Sequence, residues 1–395
     1  MSRFAGVDWG GARHQLAVVD VEGRVVLNER FAHDRGGLDA LLDALAGAGR
    51  ATPVAIERSE GIVVNELQAK GHPVFPVSPR VAARARERYQ AAARKDDRFD
   101  AFVLADTLRF EHGRWRPLAV SSPVLAELRV LVRDRRRVLE GQQAVEAQLR
   151  ATLEAYHPAA AHLFSSVDRA ITLAFVRDYP TPETASRVGE RRMQGLLDRH
   201  GYTGRVPAAA LVERLRSHLL AATPGSIEGH RFSALALVDQ LELMNRQLKT
   251  FDLRIAEVFA VHPDAAIFAS FPAAGPVISA SLLAEIGEDR QRFPTVDVLL
   301  AEAGLAPVTL ASGKVTRVRF RRACNTRLRD SFNWWAYTLK RIDEPSRASY
   351  LAALERGQHS HRALRTIGAR WGRILWRCWQ DGVPFDPARR AINPT

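Results

Sequence analysis

Cysteine is nearly absent: Cys324 and Cys378 are the only two in 395 residues. They stand too far apart for a local metal or redox motif and exclude a disulfide framework, which suits a reducing compartment. The opening MSRFAGVDWG has neither the apolar run nor the cleavage pattern of a signal peptide, so a cytoplasmic location is expected. Long hydrophobic runs are missing too, with one exception. Residues 265–284 carry no charge and match a membrane span in length. Pro272, Gly275 and Pro276 interrupt that run among small residues, so a helix, a turn and a helix are expected there, with no membrane partner. Acid is also in short supply: 44 Asp and Glu face 57 Lys and Arg, a formal charge of +13. That imbalance points to a polyanionic partner such as nucleic acid. Nearly all the basic residues are arginine, a bias that a GC-rich genome also produces, so arginine usage alone says little about phosphate recognition.

What is present suffices for two or three domains with cores of their own, since 46% of residues are hydrophobic and 26% charged. Over residues 4–31, short β-rich runs (RFAGVDWG, HQLAVVDVEG, RVVLNERF) separated by glycine-containing turns predict a three-stranded meander. Leu38, Leu41, Leu42 and Leu45 recur at helical spacing; TPVAIE then reads as a fourth strand, a helix begins after Gly61, and HPVFPVS reads as a fifth strand. This order predicts an α/β layer with a mixed sheet. Beyond Pro79 the pattern turns helical, with a polar, basic link (ARERYQAAARKDDRFD) leading to an amphipathic segment at residues 101–110. Residues 126–156 are free of proline and charged on the outer face, as a coiled-coil arm would be, and residues 232–261 form a second such helix. Prolines 180, 182, 207 and 224 mark shorter helices and loops between them. The last third reads as a compact helical domain with one functional loop. Its tryptophans at 334, 335, 371, 376 and 379 recur on helical segments and are expected in the core.

Two acids head the candidate chemistry. Asp8 ends the opening strand and Glu57 ends the fourth. If those strands are parallel neighbours, both carboxylates project from the carboxyl-end edge where such sheets bind ligands. Paired carboxylates there suit Mg²⁺, a hard cation that takes oxygen ligands and serves phosphoryl transfer. The alternative is that Asp8 opens a turn and Glu57 caps the next helix. In KDDRFDA, residues 95–101, Asp97 and Asp100 share one face of a helix beginning near Asp96 and can add two carboxylates. An aspartate-rich helix start also arises from the helix dipole alone, and whether Asp97 or Asp96 faces the site stays open.

Ser312, in Ala311-Ser312-Gly313-Lys314, stands beside cationic side chains, where a serine can attack a phosphodiester once its proton is removed. A lone serine in a loop is ordinarily only that. Lys314, Arg317, Arg319, Arg321, Arg322, Arg327 and Arg329, with no acid before Asp330, are the strongest local footprint for nucleic acid. Arg317, Arg319 and Arg321 alternate as along a strand, and a solvated basic face is the alternative. The turn in FPAAGPV precedes a helix whose N-terminal N–H groups can hold a phosphate.

In order, VDWG, AIERSEG, the KxDxxDA element, a long helical insertion, FPAAGPVISASLLAEIG, RFPTVDVLLAEAGLAPVTLASGK and RRACNTRLR resemble the insertion-sequence 110 family. These are the DEDD transposases, or bridge-RNA-guided recombinases, and the likeness covers nearly the whole chain. It implies a RuvC-like, RNase H-like domain over residues 1–122 whose acids Asp8, Glu57, Asp97 and Asp100 bind Mg²⁺, with Mn²⁺ as a substitute. A helical, coiled-coil region over residues 123–262 and a C-terminal transposase domain over residues 263–395 would follow, the latter with a serine nucleophile at Ser312. Family members often carry two hydroxyl residues where this chain has Ala311-Ser312, which leaves Thr309 as the second candidate. Asn325 would join Lys314 and the arginines in binding nucleic acid. The likeness further implies donor and target DNA paired with a structured guide RNA, strand exchange through a phosphoserine link, and a nucleoid-associated protein. Dimers and tetramers joined by the helical arm would place the acids of one subunit beside the serine of another. A RuvC-like nuclease or junction resolvase using water, and an inactive nucleic-acid-binding remnant, are the rival readings.

Overall fold

The structure, a computed structural model, describes residues 2–89, 96–220, 222–312 and 315–388. The chain divides into two units, Met1–Val120 and Ser121–Thr395. In the first, the alternating runs pair as expected. Strands β1 (Phe4–Trp9), β2 (Arg13–Val19) and β3 (Val25–Ala32) form an antiparallel meander. Helix α1 (Arg35–Ala48) leads to β4 (Val54–Ile56), parallel to β1, and helix α2 (Ile62–Ala69) to β5 (Val74–Pro76), parallel to β4. The resulting mixed sheet has the order β3-β2-β1-β4-β5. Period-two alternation sends Ala5, Val7, Leu16 and Val18 to one face, against Leu41 and Leu45 of α1 and Val63 and Leu67 of α2. Each of those leucines is fully buried and contributes roughly 1.5–3 kcal/mol by leaving water.

Helix α3 (Pro79–Glu87), capped by Ser78 and opened by Pro79, occupies the start of what reads in sequence as a polar link. It precedes α4 (Asp97–Glu111), which covers the other sheet face through Ala101, Leu104 and Leu108 against Phe4, Ala17, Val19 and Phe75. Gly6 allows the close approach: a Cβ there would collide with the Ala101 carbonyl oxygen and the Ala105 nitrogen.

The second unit is mostly helical. Its frame is an antiparallel pair, α5 (Pro123–Tyr156) and a later partner, with α6 (Pro158–Leu163), α7 (Ala170–Asp178), α8 (Pro182–Ser186), α9 (Glu190–Arg199) and α10 (Ala208–Ser217) between them. The partner, α11 (Pro224–Ala260), begins eight residues ahead of the expected start, because the first helical turn tolerates a proline whose missing N–H has no partner there anyway. Glu127 meets Arg254, Arg135 meets Asp252 and Gln142 meets Asn245 along the pair. The pair serves two cores. Leu149 and Leu153 with Ala234, Leu237 and Leu241 pack on α6 to α10, whereas Leu125, Leu128, Ile255 and Phe259 join the C-terminal helices.

Those helices are α12 (Ala265–Ala269), α13 (Pro276–Ile286), α14 (Val296–Glu302), α15 (Thr326–Ile342), α16 (Glu344–Glu355) and α17 (Ser360–Asp381). The uncharged stretch is thus two helices around a turn, and among the described residues no helix is long and apolar enough to cross a membrane. In that turn Ala273 takes a left-handed conformation (φ 58), fastened where Trp335 Nε1 donates to the Pro272 carbonyl and Thr338 Oγ1 to that of Ala273. Trp335, Trp371 and Trp379 are fully buried as expected, but Trp334 is 60% exposed and stacks on Tyr337 at the surface. A two-stranded hairpin, β6 (Val308–Ser312) and β7 (Val315–Arg319), stands between α14 and α15.

Candidate active site

Four acids gather at one edge of the first sheet. Asp8 lies near the end of β1 on the α4 side, as Gly6 does, and Glu57 follows β4 with Ala55 on that same side. Glu57 does not cap α2, whose N-cap is Gly61. Asp96 is the N-cap of α4, accepting from the Phe99 N–H at 2.8 Å, and Asp97 and Asp100 occupy the first turn. Burial lifts the Asp8 carboxyl to about 6, and the negative charges of Asp100, Asp97 and Glu57 add to that lift against the opposing pull of Arg86.

Arg86, on α3, is the residue that sequence reasoning missed. Its Nε donates to Asp100 Oδ1 at 2.6 Å, and its guanidinium lies 3.7 Å from Glu57 Oε1. Arg30, on β3, pairs with Asp97 at 3.1 Å. The Ser78-Pro79 start was the available signal for α3, and it places Arg86 two turns on. Among the described residues no three acids, histidines or cysteines stand close enough together to hold a metal ion, and Arg86 supplies positive charge in their midst.

The expected serine loop is mostly strand. Ala311 and Ser312 belong to β6, and Ser312 pairs with Val315 at the hairpin end, as Thr309 pairs with Val318. The Ser312 side chain lies outside the described residues, as do Lys314 and Lys95. Arg317 and Arg319 alternate along β7 and are exposed, as is Arg322 beyond it. Among the described residues these three have no ion-pair partner. Arg321 is half-buried, and its Nε donates to the Ala306 carbonyl at 3.3 Å.

The far end of the basic run is engaged with the protein itself. Asn325 caps α15, accepting from the Leu328 N–H at 3.2 Å, and its Nδ2 donates to Glu285 Oε2 at 2.9 Å. Arg327 Nε reaches Glu285 Oε1 at 2.9 Å, and Arg133 Nε reaches the same oxygen at 2.9 Å. Arg329 lies over Phe320, 3.5 Å from Asp330. Glu285 is 4% exposed. Burial by itself would raise its pKa, but Arg133, Asn325 and Arg327 together hold it down to about 2.

Similarity to known proteins fits this division of features. A family model described as a transposase, of the DEDD type, matches residues 5–158, which include the four acids. A second, described as the transposase IS116/IS110/IS902 family, matches residues 265–351, which include the hairpin and the basic run. The chain is 34% identical to the mini-circle putative transposase for IS117 of Streptomyces coelicolor, over 99% of this chain and 97% of that one. It is 27% identical to the uncharacterized 42 kDa protein of insertion element IS900 from Mycobacterium paratuberculosis, over 98% of this chain and 97% of the other. The uncharacterized 44.8 kDa protein of insertion element IS116 from Streptomyces clavuligerus is also 27% identical, over 98% and 96%. With both family signatures in order and similarity running end to end, the chain belongs to the IS116/IS110/IS902 family of insertion-sequence transposases, enzymes that process DNA.

Proposed function

We propose that this transposase is a Mg²⁺-dependent, RNA-guided recombinase that cleaves and exchanges DNA strands through Ser312, and that its first unit is a RuvC-like, RNase H-like domain. The observation that carries the reading is the gathering of Asp8, Glu57, Asp97 and Asp100 closely enough to lift Asp8 to about 6. A meander followed by parallel β4 and β5, in the order β3-β2-β1-β4-β5, supports the RuvC-like assignment. Four carboxylates face the two guanidiniums of Arg30 and Arg86, an oxygen-only set with negative charge to spare, which fits a hard divalent cation. Asp8, Glu57, Asp97 and Asp100 would hold Mg²⁺, or Mn²⁺ in its place. Bound there, the ion would draw charge from a scissile phosphate.

The remaining steps belong to the chain and its partners. Ser312 Oγ bonds to phosphorus, the bond from phosphorus to the leaving nucleotide oxygen breaks, the serine gives its proton to a base, and the leaving oxygen takes up a proton. The phosphoserine link conserves the phosphodiester energy, so reversal onto another strand completes the exchange. Lys314, Arg317, Arg319, Arg321 and Arg322 hold the DNA backbone, with Asn325, Arg327 and Arg329 beside them. Pairing with a structured guide RNA selects the donor and target sequences. Dimers or tetramers joined through residues 123–262 bring the acids of one subunit to the serine of another. Such a protein works on the nucleoid, in the cytoplasm.

The test is mass spectrometry for a nucleotide attached to Ser312, in protein expressed with its own flanking DNA, with Ser312→Ala alongside. A serine adduct that the variant loses is the expected result. Strand cleavage with no adduct, undiminished in Ser312→Ala, would replace serine chemistry with hydrolysis by water.

A further inference from the structure

Asp8 has a neighbour that the acidic set does not explain. Gln15, on β2, stands directly opposite Asp8 on β1, and residues so paired in an antiparallel ladder share a sheet face with their Cβ atoms roughly 4.5–5.5 Å apart. Gln15 is 2% exposed, and its Oε1 accepts no hydrogen bond among the described residues. A buried amide oxygen without a partner costs free energy and calls for one.

The orientation of that amide follows from its neighbours. Asn28 Nδ2 donates to the Arg98 carbonyl at 3.1 Å, which makes the other branch of the Asn28 fork an acceptor. Gln15 Nε2 donates to that acceptor, Asn28 Oδ1, at 2.7 Å. The nitrogen of Gln15 is therefore committed to Asn28, and Oε1 is the branch left over. Arg98 sits in the first turn of α4 between Asp97 and Asp100. One relay thus ties the Gln15 amide to the helical turn that carries two of the acids, while its strand register sets it against a third.

We infer that Gln15 is a further, neutral oxygen donor of the cation site formed by Asp8, Glu57, Asp97 and Asp100. Amide carbonyls are good ligands for hard divalent ions, and one of them completes an oxygen set without adding to the repulsion among four carboxylates. Asn28 and the Arg98 carbonyl are positioning groups that hold the Gln15 amide in the donor orientation. This inference rests on the proposed cation site.

Mn²⁺ binding measured directly by electron paramagnetic resonance, without DNA, tests it. Gln15→Met removes the amide oxygen at similar length and is expected to weaken Mn²⁺ binding about tenfold. Gln15→Glu, which restores an oxygen and adds charge, is expected to bind at least as tightly as the wild type. Asp8→Asn serves as the control for the site itself. Unchanged affinity in Gln15→Met, with affinity lost in Asp8→Asn, would overturn the Gln15 assignment and leave the acidic site standing. Equal weakening in Gln15→Met and Gln15→Glu would also overturn it, since only a packing role would then connect the two. Should Gln15→Met fail to fold, Gln15→Glu decides, and weaker binding than wild type counts against the inference. Undiminished binding in Asp8→Asn would remove the cation site, and this inference with it.

Discussion

Asp8 and Glu285 are two buried or half-buried carboxylates whose surroundings push them in opposite directions. Asp8 rises from 3.8 to about 6, by burial first and then by Asp100, Asp97 and Glu57. An acid that holds its proton more tightly in the folded chain than in the unfolded one costs stability wherever it is ionised. The cost is absent below about pH 4, grows between about pH 4 and 6, and is complete above that range. Asp8→Asn is therefore expected to stabilise the metal-free protein by about 1–2 kcal/mol at pH 8, allowing for solvent screening at a half-exposed group, and by nothing near pH 4. Urea unfolding at the two pH values measures the difference, and strand cleavage should disappear in the same variant. Glu285 behaves in the reverse sense: its depressed pKa contributes stability that is present above about pH 4.5 and lost as the pH falls toward 2. Glu285→Gln leaves Arg133 and Arg327 short of countercharge and is expected to cost about 3 kcal/mol; an unshifted urea midpoint would refute that. Asp8 and Glu57 were legible in sequence because each stands at the end of a β-rich run. Glu285 was not, since ISASLLAEIGE reads as an ordinary helix and Arg133 lies 152 positions away.

Helix α4 is the element on which the first unit's site depends, and Gly6 sets its distance from the sheet. A methyl group at Gly6 meets backbone atoms of Ala101 and Ala105, which have no room to yield without moving the helix. Gly6→Ala is expected to cost about 1–3 kcal/mol and to carry Asp97 and Asp100 away from Asp8. Strand cleavage should then fall more than tenfold, read alongside a thermal melt to separate the site from the fold. The strands themselves were readable from alternation, and α5 from its long proline-free pattern, since both signals are local. The start of α11 was missed because prolines usually end helices, and β6 because Gly313 after Ala311-Ser312 reads as a loop. Helix α3 was hidden in a run of arginines and alanines whose polarity outweighed its cap.

Across the whole molecule the formal charge of +13 is spread unevenly in its availability. Arg133, Arg327 and Arg86 are held by internal carboxylates, while Arg317, Arg319 and Arg322 are exposed on or just beyond the hairpin. Each arginine that neutralises a DNA phosphate releases about 0.9 of a counterion, so replacing both Arg317 and Arg319 with alanine is expected to lower the slope of log affinity against log salt by about 2. Fluorescence anisotropy over a salt series checks this, and an unaltered slope would free the hairpin of any DNA role. The sequence by itself determined the strands, the long helices, the order of motifs and the positions of Asp8, Glu57, Asp97 and Asp100, because periodicity and turn chemistry act between near neighbours. Only the tertiary structure decided that Arg86 sits among those acids, that the Gln15 oxygen is buried opposite Asp8, and that part of the basic run is spent on Glu285. Those are pairings between distant segments, and burial, which gives each its energy, exists only once the segments have packed.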